Sequence, residues 1–197
     1  RYGGETELLF LVEPDEAHVR AYLDAIDQGE PIVFAATIDK HVAAGVLHEW
    51  LRMLPDSLIP SKYFFRVVAL DPCDLDAVHA MCAALPMMNK IVLSRLCRFL
   101  GRVSEYGVGY DDDRCLLALV LRFRPIVLRP ADDKRASDDD LDTAARLVWS
   151  LITLHDEIFD DDDSAPLLAW ELDDDVAMPG EVGGDDDDNG GGGGGGG

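Results

Sequence analysis

The stretch LPMMNKIVLSRLCRFLGRV, Leu85–Val103, decides the fold. Leu93, Leu96, Leu100 and Val103 recur at steps of three and four, so a helix carries them on one side. An apolar stripe of that kind has to be covered by other elements rather than by water. Asn89 reads as the N-cap of a helix that begins at Lys90, a structural role.

The same period recurs on both sides of this stretch. DEAHVRAYLDAIDQG, Asp15–Gly29, sets Val19, Tyr22, Leu23 and Ile26 on one face, and Gly29 ends it. KHVAAGVLHEWLRMLP, Lys40–Pro55, aligns Val42, Val46 and Trp50 with Leu47 and Leu51 nearby, and Pro55 stops it. DLDAVHAMCAALP, Asp74–Pro86, aligns Val78, Met81, Cys82 and Leu85. RCLLALVLRF, Arg114–Phe123, is apolar almost all round, which predicts a buried central helix. SDDDLDTAARLVWSLITLHDEIF, Ser137–Phe159, opens with a capping-box pair, Ser137 and Asp140, and predicts one helix to about Phe159. PIVFAAT, Pro31–Thr37, could be extended, but one short run makes no sheet. The expectation is an all-α bundle over residues 1–159.

Residues 160–197 differ in kind. They hold 13 acidic residues, no Lys or Arg, and eight terminal glycines. Such a segment cannot bury enough apolar surface to offset chain entropy, so a disordered acidic and Gly-rich tail is expected. SAPLLAWEL, Ser164–Leu172, is an apolar island in it, able to dock back or meet a partner.

The net charge is −22, and residues 1–159 alone carry 26 acidic against 17 basic residues. That balance argues against binding nucleic-acid phosphates. It suits a partner with a basic patch, or serves only solubility. The four cysteines form no C-x-x-C pair. All but Cys73 lie among apolar residues, which predicts buried, reduced thiols. The five histidines show no metal-ligand spacing, so no metal site is expected. With no P-loop and no nucleophile elbow, a stand-alone enzyme is not expected. No signal peptide and no apolar run of membrane-spanning length is present, which points to an intracellular domain. The chain opens on Arg1 rather than Met, which reads as a cut inside a loop of a longer, multidomain protein.

Three stretches stand in a telling order: VLHEWLRMLPDSLIP at Val46–Pro60, LPMMNKIVLSRLCRFLGRV at Leu85–Val103, and RFRPIVLRP at Arg122–Pro130. Together they resemble the Rho GTPase-activating (RhoGAP) domain family, whose matching stretches read approximately LLKxFLRELPEPLIP, LPxxNxxxLxxLxxFLxxV and VFGPxLLRP. The resemblance covers nearly all of residues 1–159. It implies a RhoGAP-like helical bundle that binds a GTP-bound Rho-family small GTPase and speeds its GTP hydrolysis. GTP and Mg²⁺ then belong to the partner, and the domain needs no cofactor of its own. It also implies a cytoplasmic setting, with any recruitment to membranes left to other domains.

The resemblance assigns residues as well. The family's finger loop reads approximately G-x-F-R-x-x-G, so RYGG makes Arg1 the arginine finger and Gly4 the closing glycine. An exposed arginine brings a permanent charge and several donors to the phosphates of another protein. Between Arg1 and VLHEWLR the chain has about ten residues more than the family usually has, and LLFLVEPDE, Leu8–Glu16, is expected to contain that insertion. His48 stands at the family's GTPase-contacting lysine, and Arg52 at the arginine that helps hold the finger loop. One turn apart, they share a helix face. An exposed histidine with a pKa of about 6.5 is mainly neutral at pH 7 and would regain charge toward pH 6. Ala118 falls where the family has a GTPase-contacting asparagine. Pro125 is the proline of the G-P pair, with Arg124 in place of the glycine, and the aspartates 111–113 replace an N-K-M region as a solvated loop or an acidic contact. Retention of Arg1 favours an activator. The lost lysine and asparagine favour a degenerate module that docks a GTPase without activating it. A helical scaffold unrelated to GTPases predicts no such binding.

Overall fold

Several helices begin where the chain supplies a capping aspartate or serine. Asp15 accepts from the backbone N–H of Ala17 and His18 at 2.9 and 3.2 Å and opens α1, Glu16–Asp27. Gly29, at φ +70, turns the chain out of it. Asp39 caps α2, Lys40–Arg52, and Asp74 caps α4, Leu75–Ala83. Between them lie a short 3-10 turn at Ser61–Tyr63 and α3, Phe64–Val67. The remaining helices are α5, Met87–Glu105, α6, Asp112–Val127, α7, Asp138–Thr153, and α8, His155–Ile158. The computed structural model describes residues 9–32, 39–105, 112–131 and 134–159. Among them no strand occurs, only an isolated parallel bridge between Ile59 and Leu128. The all-α expectation holds.

The core forms where α5, α6 and α7 pack on one another. Leu93, Cys97 and Leu100 of α5 meet Leu119, Phe123 and Ile126 of α6 and Ala144, Leu147, Val148 and Leu151 of α7, all buried. A smaller apolar cluster of Val19, Val42 and Val46, flanked by Tyr22, Leu23 and Ile26, fastens α1 to α2. Cys82, Cys97 and Cys115 are buried, Cys73 is exposed, and none is in a disulfide. Burial in apolar surroundings pushes the Cys97 thiol well above its ordinary pKa, so it stays protonated and inert.

One joint ties distant parts of the chain together. The Leu58 N–H donates to the Ile126 carbonyl at 3.0 Å and the Ile59 N–H to that of Val127 at 2.8 Å. Asn89 Nδ2 donates to the Leu58 carbonyl at 2.8 Å. Arg129 Nη2 reaches the Leu54 and Pro55 carbonyls at 3.1 and 3.2 Å, which satisfies groups that Pro55 leaves beyond the end of α2. Asp56 Oδ1 closes the turn by accepting from the Ser57 and Ser61 N–H groups.

Several expectations need correction. Asn89 is not a cap: α5 already begins at Met87, and the amide of Asn89 serves the joint instead. Helix α6 is not buried all round, since Leu117 and Leu121, one turn apart, are 47% and 53% exposed. It begins at Asp112, so Asp112 and Asp113 belong to a helix rather than a loop. Trp50 is 41% exposed and lies outside the apolar face of α2. The helix after Ser137 is broken at Leu154, where φ −113 and ψ 25 leave helical geometry. Its capping box is present as expected, with Asp140 N–H donating to Ser137 Oγ at 3.1 Å and the Ser137 N–H to Asp140 Oδ2 at 2.8 Å. The expected extended run falls mostly on residues 33–38, and the acidic tail on 160–197, both outside the described residues.

Candidate functional site

A cleft of about 400 Å³ opens between α1, α2 and α6. Its depth depends on Gly45. A Cβ there would lie 2.6 Å from Pro14 Cγ and 2.9 Å from Val19 Cγ2, so only glycine lets the start of α1 settle this close on α2. One and two turns further along α2, His48, Glu49 and Arg52 line the cleft. Glu13, Glu16 and Arg20 line it from the α1 side and Arg122 from α6.

Glu49 organises the α2 wall. Its Oε2 accepts from Arg52 Nε and Nη2, both at 2.8 Å, and its Oε1 sits 3.3 Å from His48 Nδ1. Partial burial alone would raise the carboxyl pKa, but the Arg52 guanidinium, aided by His48, outweighs it and holds Glu49 below the usual range.

The structure brings His48 and Arg52 into one cleft, as their spacing requires, but His48 is not a surface residue. It is only 8% exposed, and its ring meets that of Phe123 edge-on with centroids 5.4 Å apart. Burial, and next the nearby Arg122 guanidinium, lower its pKa, with Glu49 opposing. The expectation that His48 regains charge toward pH 6 is therefore corrected: the buried ring resists the proton.

Phe123 has a second aromatic neighbour that the sequence did not announce. Phe10, 2% exposed, inserts between Phe99 and Phe123, both edge-on, at centroid distances of 5.9 and 5.0 Å. Its φ of +73 is a conformation that bulky side chains rarely adopt. The stretch read as an insertion thus folds back on the core through Phe10 and on α2 through Pro14. Arg1 and Gly4 lie outside the described residues. Ala118 is half-buried and Pro125 exposed on α6, and neither lines the cleft. Arg122, one turn beyond Ala118, does line it, and sequence reasoning passed over it. The signal available was a lone cation within the apolar run ALVLRF, Ala118–Phe123.

Among the described residues no group of His, Cys, Asp and Glu could hold a metal ion, and no helix is long and apolar enough to cross a membrane. The site is a charged cleft at the surface of a helical bundle, suited to meeting another molecule's polar groups.

The family model described as the RhoGAP domain matches residues 1–132, and the chain belongs to that family. Among curated proteins it is 29% identical over 168 residues to Rho GTPase-activating protein 24 of Mus musculus, covering 81% of this chain and 22% of that protein. It is 26% identical over 160 residues to Rho GTPase-activating protein gacY of Dictyostelium discoideum, covering 78% and 22%. The chain therefore spans about a fifth of the length of these relatives. Human Rho GTPase activating protein 15 shares the fold with a TM-score of 0.70 at 19% identity, over 78% of this chain and 75% of that one. The BH domain of Graf, the GTPase regulator associated with focal adhesion kinase, does so with a TM-score of 0.67 at 22% identity, over 80% and 86%.

Proposed function

We propose that this chain is the GTPase-activating domain of a longer protein, that it docks on a Rho-family small GTPase in the GTP-bound state, and that Arg1 is its arginine finger. The observation that carries the proposal is the family match, which starts at Arg1 and includes the stretches around His48, Arg52 and Pro125. The chemistry agrees with it. The chain's contribution would be charge and position, from the guanidinium-bearing residues that line the cleft. In GTP hydrolysis that contribution is what an activator supplies, because the nucleotide and its Mg²⁺ sit on the GTPase. Arg52, braced by Glu49, would support the finger-bearing segment, and Gly4 would close its loop. Ala118 and Pro125 would lie against the GTPase. The setting would be cytoplasmic, with recruitment to membranes left to other parts of the protein.

A second reading is favoured by one observation, the burial of His48. The position at which the family resemblance calls for a cation carries none here, so docking without activation is the competing function. Single-turnover GTP hydrolysis over a panel of Rho-family GTPases separates the two. Arginine fingers of GTPase activators are worth about 10³–10⁵ in rate. With the same short leader placed ahead of residue 1 in both proteins, Arg1→Ala is expected to collapse the acceleration and to change affinity only a few-fold. Equal acceleration by both proteins removes Arg1 from the mechanism. Binding without acceleration by the unmutated chain establishes the docking module.

A further inference from the structure

Arg122 is out of place for a residue of the core helix. Its neighbours Leu119, Val120 and Phe123 are buried apolar side chains. Its Nε is shut off from solvent and has no hydrogen-bond partner among the described residues. A buried donor left unpaired is costly, more so when charged, and a structure that served stability alone would use an apolar side chain there. Glu49, a carboxylate lining the same cleft, is already shared between Arg52 and His48.

Arg122 opens on the same cleft as Arg20 of α1 and Arg52 of α2, so three helices each bring a guanidinium to one space. This occurs in a chain that is otherwise strongly acidic. The rim of the cleft sets the kind of anion it can take. Glu13, Glu16 and Glu49 also line it, and they repel a doubly charged phosphate more than a singly charged group. A planar carboxylate also matches the fork of an arginine.

We infer that the cleft is a carboxylate-binding socket, with the half-buried Arg122 as its donor from α6, and that it receives an Asp or Glu side chain of the docked GTPase. The inference rests on the proposed GTPase-docking function, and it names a contact on α6 that lies beside, not on, the positions assigned by resemblance. An unpaired donor in the free protein and a paired one in the complex gives an arginine whose removal weakens binding while sparing the fold.

The test uses the full chain and a Rho-family GTPase loaded with a non-hydrolysable GTP analogue, chosen because the unmutated chain binds it. Affinity and melting temperature are measured for wild type, Arg122→Met and Arg122→Lys. A hydrogen bond to a charged group is worth enough that Arg122→Met is expected to bind about ten- to a hundredfold more weakly. Its melting temperature should equal or exceed that of wild type, since no bond is lost in the free protein. Arg122→Lys keeps the charge without the fork and is expected to bind several-fold more weakly. It carries the test should Arg122→Met fail to fold. Wild-type affinity in the variants overturns the inference and leaves the docking function standing. Tighter binding by Arg122→Met also overturns it, because the socket would then hold the chain's own acidic residues in competition with the partner. A lower melting temperature in step with lost affinity makes Arg122 a structural residue. Failure of the unmutated chain to bind any GTPase of the panel removes both proposals together.

Discussion

Replacing Phe10 by alanine in the full chain is expected to lower the melting temperature markedly, although Phe10 sits in a stretch with no helical pattern. The side chain is 2% exposed and wedged edge-on between Phe99 and Phe123. Truncating a buried phenylalanine to alanine costs about 3–5 kcal/mol. The left-handed backbone at φ +73 gives nothing back, because alanine carries a Cβ too. For a domain of this size each kcal/mol shifts the melting temperature by about 2–4 °C, so a fall of roughly 6–20 °C follows. Circular dichroism on heating measures it. Each aromatic pair should also show coupling of about 0.5–1.5 kcal/mol in a double-mutant cycle, so Phe123→Leu should cost less in the Phe10→Ala background. A melting temperature within 2 °C of wild type, about 0.5–1 kcal/mol on that scale, would refute the reasoning. It would mean that the stretch around Phe10 leaves the core at little cost and is not an anchor.

Two further outcomes follow from the cleft walls. Gly45→Ala adds a Cβ 2.6 Å from Pro14 Cγ; overpacking of about 1–3 kcal/mol should outweigh the gain of about 1 kcal/mol in helix propensity, so a thermal melt at or above wild type would contradict the close contact of α1 and α2. His48 has a lowered pKa in the folded chain, so between that value and about 6.5 the unfolded chain binds the proton more readily; stability is full above about pH 6.5 and declines as the pH falls below it. His48→Leu should therefore lose less melting temperature than wild type on acidification from pH 7.5 to 5.5, and parallel profiles would show that His48 does not resist protonation.

The elements that could be read from the sequence were those whose two faces differ. Helices α1, α2, α4, α5 and α7 each set an apolar stripe against polar residues, and Ser137 with Asp140 marked the start of α7 to the residue. Helix α6 shows where periodicity gives out. Leu117 and Leu121 are as apolar as Leu116 and Leu119, so nothing in the letters separates the outward pair from the inward one. The break at Leu154 follows no proline or glycine, and the turn and short helix at Ser61–Val67 are too brief for a repeat to show. Asn89 was misread because an asparagine near a helix start has a local use, capping, and the partner it takes lies 31 residues away in the chain.

The three stretches that disclosed the family owe their legibility to the joint at Leu58–Ile59. Asn89 comes from the second stretch, Ile126, Val127 and Arg129 from the third, and all four are bonded to residues in or beside the end of the first. These partners are backbone groups fixed by the course of the chain, so the side chains and turns that satisfy them have few substitutes. The cleft is under no such restriction. His48 lies outside the joint, and a change there leaves its bonds in place. A chain can therefore keep the signature of this fold while the charges that line its cleft vary: here His48 is buried beside Phe123, and Arg122 lines the cleft from another helix. The family stretches therefore argue for the fold, while the docking proposed above would rest on Arg52 and Arg122, residues that form no bond in the joint.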